Sequence, residues 1–195
     1  INGRVVTIGA YFGEDMQPLV ERLLGEQMAD GGWNCDQEQG STRGSFHTTI
    51  DVLEGLLEFE RTTGGSPAVK AARERGQEYL LERRLFKKLS TGEAIEHDRK
   101  NGPVWAQCSY PAGWRYDILR GLDYLRAAGV KPDPRMKEAI EIIASKRDVS
   151  GRWALGIVHP DEMVAEPGVA EGQPSRWNTL RALRVLDWYD NSARD

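Results

Sequence analysis

The hydrophobic positions of this chain recur at three- and four-residue spacing, the period of an amphipathic helix. Residues 4–12 read as the end of a helix that stops at Gly13. Residues 16–29 form the next, with Asp15 as N-cap and Leu19, Val20, Leu23, Leu24 and Met28 on one face. Residues 46–63 carry Ile50, Val52, Leu53, Leu56, Leu57 and Phe59, and Gly64 and Gly65 end them. That segment is apolar over more than half its circumference early on, so it is expected to be largely buried. Ser66-Pro67 caps and opens a helix over 67–88, where Val69, Ala72, Gly76, Tyr79 and Leu80 form a narrow stripe among charges. A helix over 114–128 stops at Gly129, and Asp133-Pro134 starts another with Met136, Ala139, Ile140 and Ile143 inward. Ser175 caps the last, 176–190. No segment alternates convincingly as a strand. The expected fold class is all-α. More buried helices alternate with more charged ones, and hairpins of inner and outer helices close into an α/α toroid, of which this chain supplies a part.

The pattern also repeats. The helix starts Ser45-Phe46-His47-Thr48-Thr49, Gly113-Trp114-Arg115-Tyr116-Asp117 and Ser175-Arg176-Trp177-Asn178-Thr179 align on Leu53, Leu119 and Leu180. Gly31, Gly92 and Gly151 each close a charged helical segment, two of them in Gly31-Gly32-Trp33 and Gly151-Arg152-Trp153. The period of roughly sixty residues is longer than that of common solenoids and suits a helix pair with a long connection. On this alignment Leu53, Leu56, Leu119, Leu122, Leu180 and Leu183 are expected to be buried, and Arg73, Glu74, Glu138 and Glu141 exposed. Trp33 and Trp153 are expected to be structural, each indole packing over the end of a neighbouring helix.

Composition narrows the function classes. With 195 residues starting at Ile1, the chain is expected to be a single domain and a fragment of a larger α/α toroid whose N-terminal part precedes it. The 26 basic and 30 acidic residues give a net charge of −4, which makes no case for nucleic acid or an anionic membrane. No apolar run approaches the roughly 20 residues of a membrane span. Cys35 and Cys108 are too few for a disulfide scaffold, so a reduced, cytoplasmic setting is expected.

Candidate chemistry lies in the long connections and at the starts of the buried helices. Cys35, Asp36, Glu38 and His47 fall in the first such region, Glu96, His97, Asp98, Cys108 and Tyr110 in the second, and His159, Asp161 and Glu162 in the third. Cysteine, histidine and aspartate brought together from such loops bind zinc, and His47, Cys35 and Asp36 are the candidate ligands. The competing reading is a capping or packed histidine. Phe46, Tyr110, Trp114, Tyr116 and Trp177 are the candidate ligand-binding aromatics, lining an apolar cavity in one reading and packing between helices in the other. Helix N-termini suit an anionic group such as a diphosphate.

Two motifs resemble the terpenoid cyclase and protein prenyltransferase superfamily of α/α toroids. Gln27-Met28-Ala29-Asp30-Gly31-Gly32-Trp33 is similar to the Gln-Trp repeat of squalene cyclases, and Ser145 to Trp153 is a copy without the Gln. Phe46-His47-Thr48 followed by Leu53-Glu54-Gly55-Leu56 is similar to the prenyltransferase helix whose histidine binds zinc. The resemblance implies a hydrophobic isoprenoid ligand, and zinc at His47. The cyclases' Asp-x-Asp-Asp acid motif is absent, and Asp161-Glu162 does not match it. Three functions are therefore expected in turn: isoprenoid binding or conversion, a catalytically inactive binding or scaffold module, and a carbohydrate-active lyase or hydrolase. Self-association, or association with the missing segment, is expected from apolar faces at the open ends of the ring.

Overall fold

A computed structural model describes residues 2–95, 97–98, 102–159 and 168–192. The chain divides into two compact units, Ile1–Leu80 and Leu81–Asp195. Among the described residues there are seven α-helices, and the fold is all-α apart from one two-residue ladder and isolated bridges. No helix is long and apolar enough to cross a membrane among the described residues.

The first unit holds α1 (Asn2–Tyr11), α2 (Gln17–Gly25), α3 (Phe46–Thr63) and α4 (Pro67–Glu82), the last running two residues past the boundary. Its core is α3, which covers the span expected from its pattern. Ile50, Leu53 and Leu56 have no exposed surface. Helix α1 lies so close to α3 that two glycines are required. A Cβ on Gly3 would sit 2.4 Å from the Asp51 carbonyl carbon, and one on Gly55 would sit 2.5 Å from the Gly3 carbonyl oxygen. Helix α2 ends at Gly25, earlier than its apolar pattern suggests, because residues 26–33 turn back to deliver Trp33 to the core. The Asp15 carboxylate accepts from Gln17 N–H, one residue ahead of the Met16 cap position.

Helix α4 buries the expected stripe of Val69, Ala72, Tyr79 and Leu80. Arg73, expected in solvent, is instead 7 % exposed and forks onto Glu60 of α3, Nε to Oε2 at 2.9 Å and Nη2 to Oε1 at 3.2 Å. A bidentate carboxylate is what makes a buried guanidinium tolerable. The helix ends at Glu82 rather than near 88. Arg84 and Leu85 adopt positive φ (45° and 68°), a conformation uncommon for such residues, and Leu85 and Phe86 are buried behind it.

The second unit holds β1 (His97–Asp98) paired antiparallel with β2 (Gly102–Pro103), then α5 (Ile118–Ala127), α6 (Lys137–Ser145) and α7 (Arg176–Ser192). Helix α5 begins four residues later than its aromatic start suggests, because Asp117 is the cap. Its Oδ1 accepts from Arg120 N at 2.7 Å, and its Oδ2 accepts from Ser109 N and Oγ at 3.0 and 2.7 Å. Leu119 and Leu122 are fully buried, as expected. Asp133-Pro134 opens a 3-10 turn that leads into α6, with Asp133 Oδ1 accepting from Arg135 N at 2.8 Å. Glu74 and Glu141 are exposed, whereas Glu138 is only partly so and meets Lys87 Nζ at 2.6 Å.

Helix α7 departs most from expectation. Leu180 and Leu183 are 40 % and 43 % exposed, while Asn178, Ala182 and Val185 have no exposed surface. The buried stripe is therefore the polar and small one. Pairs of leucines three residues apart recur on any amphipathic helix, so they fix its face only to within a turn.

Candidate functional site

The most ordered chemistry in both units is a turn that occurs twice. In the first unit Trp33 Nε1 donates to Leu23 O at 2.7 Å, in the last turn of α2. Trp33 N donates to Thr49 Oγ1 at 2.9 Å, Ser45 N to Trp33 O at 2.8 Å and Thr49 N to Ser45 O at 2.8 Å. Met28 N and Gly31 N close the turn on Gly32 O and Met28 O, both at 2.9 Å. In the second unit Trp153 Nε1 donates to Ile143 O at 2.7 Å, and Trp153 N to Thr179 Oγ1 at 3.0 Å. Ser175 N meets Trp153 O at 2.8 Å and Thr179 N meets Ser175 O at 2.9 Å. Asp148 N and Gly151 N close on Arg152 O and Asp148 O at 2.8 and 2.9 Å. Gly31 and Gly151 have φ of +83° and +82°, which favours glycine at both. Both indoles are buried.

These matching bonds set the register of the repeat. Ser45 falls on Ser175, His47 on Trp177, Thr49 on Thr179, Ile50 on Leu180 and Leu53 on Leu183. With Asp117 as the cap of α5, Leu125 is the corresponding leucine there. The alignment on Leu53, Leu119 and Leu180 is thus off by up to two turns. The middle copy around Gly92 (φ +71°) is one residue wider: Lys88 N reaches Glu93 O at 2.8 Å, and Gly92 N reaches Lys88 O at 2.9 Å. It has no tryptophan. Tyr116 Oη donates to Leu85 O at 2.7 Å and fills a comparable role.

Of the five candidate aromatics, two come together at a surface. Tyr110 and Trp177 stack with centroids 5.2 Å apart and an interplanar angle of 18°. The Arg176 guanidinium lies 4.9 Å from the Trp177 ring centroid. Trp114 is 48 % exposed with Arg115 at 4.6 Å from its ring. Phe46 and Tyr116 lie in the core, Phe46 against Tyr79 at 5.4 Å and Tyr116 against Trp105 at 5.2 Å. They support their helix starts and line no open face.

Of the proposed metal ligands, Cys35 and Asp36 adjoin. Cys35 Sγ lies 3.7 Å from Asp36 Oδ1 on an exposed loop, and Cys35 N donates to Thr48 Oγ1 at 3.2 Å. A recess of about 450 Å³ beside them is lined by Cys35, Thr48, Asp51, Arg22, Glu26 and Glu38, among others, and not by His47 or Asp36. Among the described residues no three His, Cys, Asp or Glu side chains converge as metal ligands. Three carboxylates against one arginine make this recess a poor seat for an anion. Glu96, Asp161 and Glu162 lie outside the described residues, as do the side chains of His97 and Asp98.

Comparison with known protein families, characterised proteins and solved structures gives no significant match.

The described carboxylates with displaced pKa values are held low. Asp133 is lowered chiefly by its hydrogen bond from Arg135, and Asp148 by those from Arg152 N–H and the Ser150 hydroxyl. A general acid needs the opposite shift. Burial pushes the Cys108 thiol up to about 12, with nearby Asp117 adding to the effect. Cys35 is exposed and Cys108 is 4 % exposed. At pH 8 a thiol reagent is therefore expected to label one cysteine per folded chain and two in denaturant; rapid native labelling of both would contradict this. The raised thiol also binds its proton more tightly in the folded state. Its stabilising contribution is complete below the unfolded thiol's pKa near 9 and is lost as pH rises towards 12.

Pattern reading missed Thr49, Thr179, Asn178 and Ser109. Asn178 Nδ2 bridges Cys108 O and Ala154 O at 3.0 and 3.1 Å. The available signal was Ser-x-x-x-Thr, which occurs at Ser45–Thr49 and Ser175–Thr179 after each Gly-x-Trp.

Proposed function

We propose that this chain is a binding member of the squalene cyclase and prenyltransferase class of α/α toroids, and that its ligand is an isoprenoid-type amphiphile with an anionic head. The observation that carries the reading is the Tyr110–Trp177 stack with Arg176 at the start of α7. Aromatic faces bury hydrocarbon. The guanidinium and the adjoining helix N-terminus attract a phosphate-like group. The repeated Gly-x-Trp turn supports the class, because Trp33 and Trp153 hold equivalent places between helices. Gln27 adds to it, donating through Nε2 to Gly31 O and Ala72 O, both at 2.8 Å, so that turn and α4 are tied together.

The test is calorimetric titration with farnesyl diphosphate, farnesol and inorganic diphosphate. Farnesyl diphosphate is expected to bind best, and Trp177→Ala and Arg176→Glu to weaken it by about tenfold each, about 1.4 kcal/mol. Equal affinity of wild type and both variants would end this reading.

A scaffold role has one observation in its favour. On α1 and the turn after it, Val5, Ile8, Tyr11 and Phe12 are 45 %, 55 %, 71 % and 74 % exposed. An apolar set of this kind marks a surface for another polypeptide.

A further inference from the structure

We propose that the exposed face of the α6–turn–α7 hairpin is a docking site for an amphipathic helix of a partner polypeptide, of the kind that α4 supplies to the matching hairpin of the first unit. The two hairpins share the turn described above, residue for residue. Leu53, in the α3 position that corresponds to Leu183, is 0 % exposed, whereas Leu183 is 43 % exposed; Ile50 and Leu180 stand at 0 % and 40 %.

The first unit shows what covers such a face. Gly76 of α4 lies on Leu53 and Trp33, so close that an added Cβ would come within 2.8 Å of each side chain. The Arg75 carbonyl oxygen lies against Gly31, 2.6 Å from the Cβ position there. Gln27 donates to Ala72 O, and Arg73 clamps Glu60. In the same register the second unit has Leu183, Gly151, Arg147 and Asp190 at its surface, over a Trp153 that is fully buried. At Gly151 the nearest group is the Arg147 guanidinium, 3.2 Å from the Cβ position, where the first unit has helix backbone. A cavity of about 590 Å³ opens beside it, lined by Arg152, Val169, Pro174, Thr179, Leu180 and Leu183 among others.

Charge defines the partner further. Asp190 stands where Glu60 receives Arg73, so the incoming helix carries an arginine three residues before the small residue that meets Leu183. Arg147, Arg152 and Arg176 are exposed around the apolar patch, which favours carboxylates on the flanks of that helix. A small residue is expected at the centre, as Gly76 is where α4 meets Leu53 and Trp33.

A fluorescent peptide with the sequence of Ser66–Arg83 is the probe, titrated with the full chain and read by anisotropy. Saturable binding is expected. Leu183→Asp and a Gly76→Phe peptide should each weaken it at least tenfold. Leu89→Asp, at an exposed site outside the α6–turn–α7 hairpin, should leave it unchanged. Leu183 lies at the surface, so its variant should keep the wild-type circular dichroism. Absence of saturation, or equal binding to wild type and Leu183→Asp, would overturn the proposal. A concentration-dependent dimer in sedimentation, lost in Leu183→Asp, would place a second copy on this face and overturn the assignment to a partner.

Discussion

Trp33→Ala and Trp153→Ala are each expected to destabilise the chain by about 3–5 kcal/mol, the range for removing a buried tryptophan. That is a large fraction of the stability of an ordinary domain. Two losses combine at each site. The cavity left by the indole lies where two helices meet, with Trp33 1 % and Trp153 0 % exposed. The carbonyl oxygen of Leu23 or Ile143 also loses its 2.7 Å donor at a helix end, and Ile143 O keeps only the longer 3.2 Å bond from Lys146 N–H. Trp→Phe separates the two, because it keeps most of the volume and removes only the donor. It should cost about 1–3 kcal/mol. Urea unfolding followed by circular dichroism is the measurement, since tryptophan fluorescence changes with the substitution itself. A Trp→Ala loss below about 1 kcal/mol at either site would mean that the turn is not what joins its helices.

The second large effect is one of sign. On a solvated helix Gly→Ala stabilises by up to about 1 kcal/mol through helix propensity. Gly55→Ala should instead destabilise by about 2–3 kcal/mol, within the range for overpacking. The added methyl would meet the Gly3 carbonyl oxygen at 2.5 Å, and backbone cannot rotate away as a side chain can. Gly25→Ala is the control. It lies at the end of α2 with nothing within 4 Å of the Cβ position, so it should be neutral or stabilising. Two stabilising substitutions would show that α1 is not held against α3.

The elements most legible in the sequence were those whose ends are fixed by local chemistry. Helix α3 runs from Phe46 to Thr63, where Gly64, at φ +85°, stops it. Ser175 and Asp133-Pro134 likewise announced the starts of α7 and of the turn into α6. The site was less legible. Tyr110 and Trp177 were both on the list of candidate aromatics, but nothing in their spacing says that they stack. Phe46 and Tyr116 carry the same chemistry and lie in the core. His47 and Trp177 hold the same place after their caps, and Trp177 meets another candidate, Tyr110.

By itself the sequence determined which segments are helical, where α3, α4 and α7 begin, and that a Gly-x-Trp turn occurs twice. Caps, glycines with positive φ and hydrophobic period act over a few neighbouring residues, so they are written locally. Tertiary structure alone decided which face of each helix is covered. Leu180 and Leu183 look like core residues and stand in solvent, Arg73 looks like a surface residue and is buried on Glu60, and Leu85 takes a left-handed backbone to reach its core. Burial depends on which element arrives from elsewhere in the chain, and a helical period leaves that open by a turn in either direction.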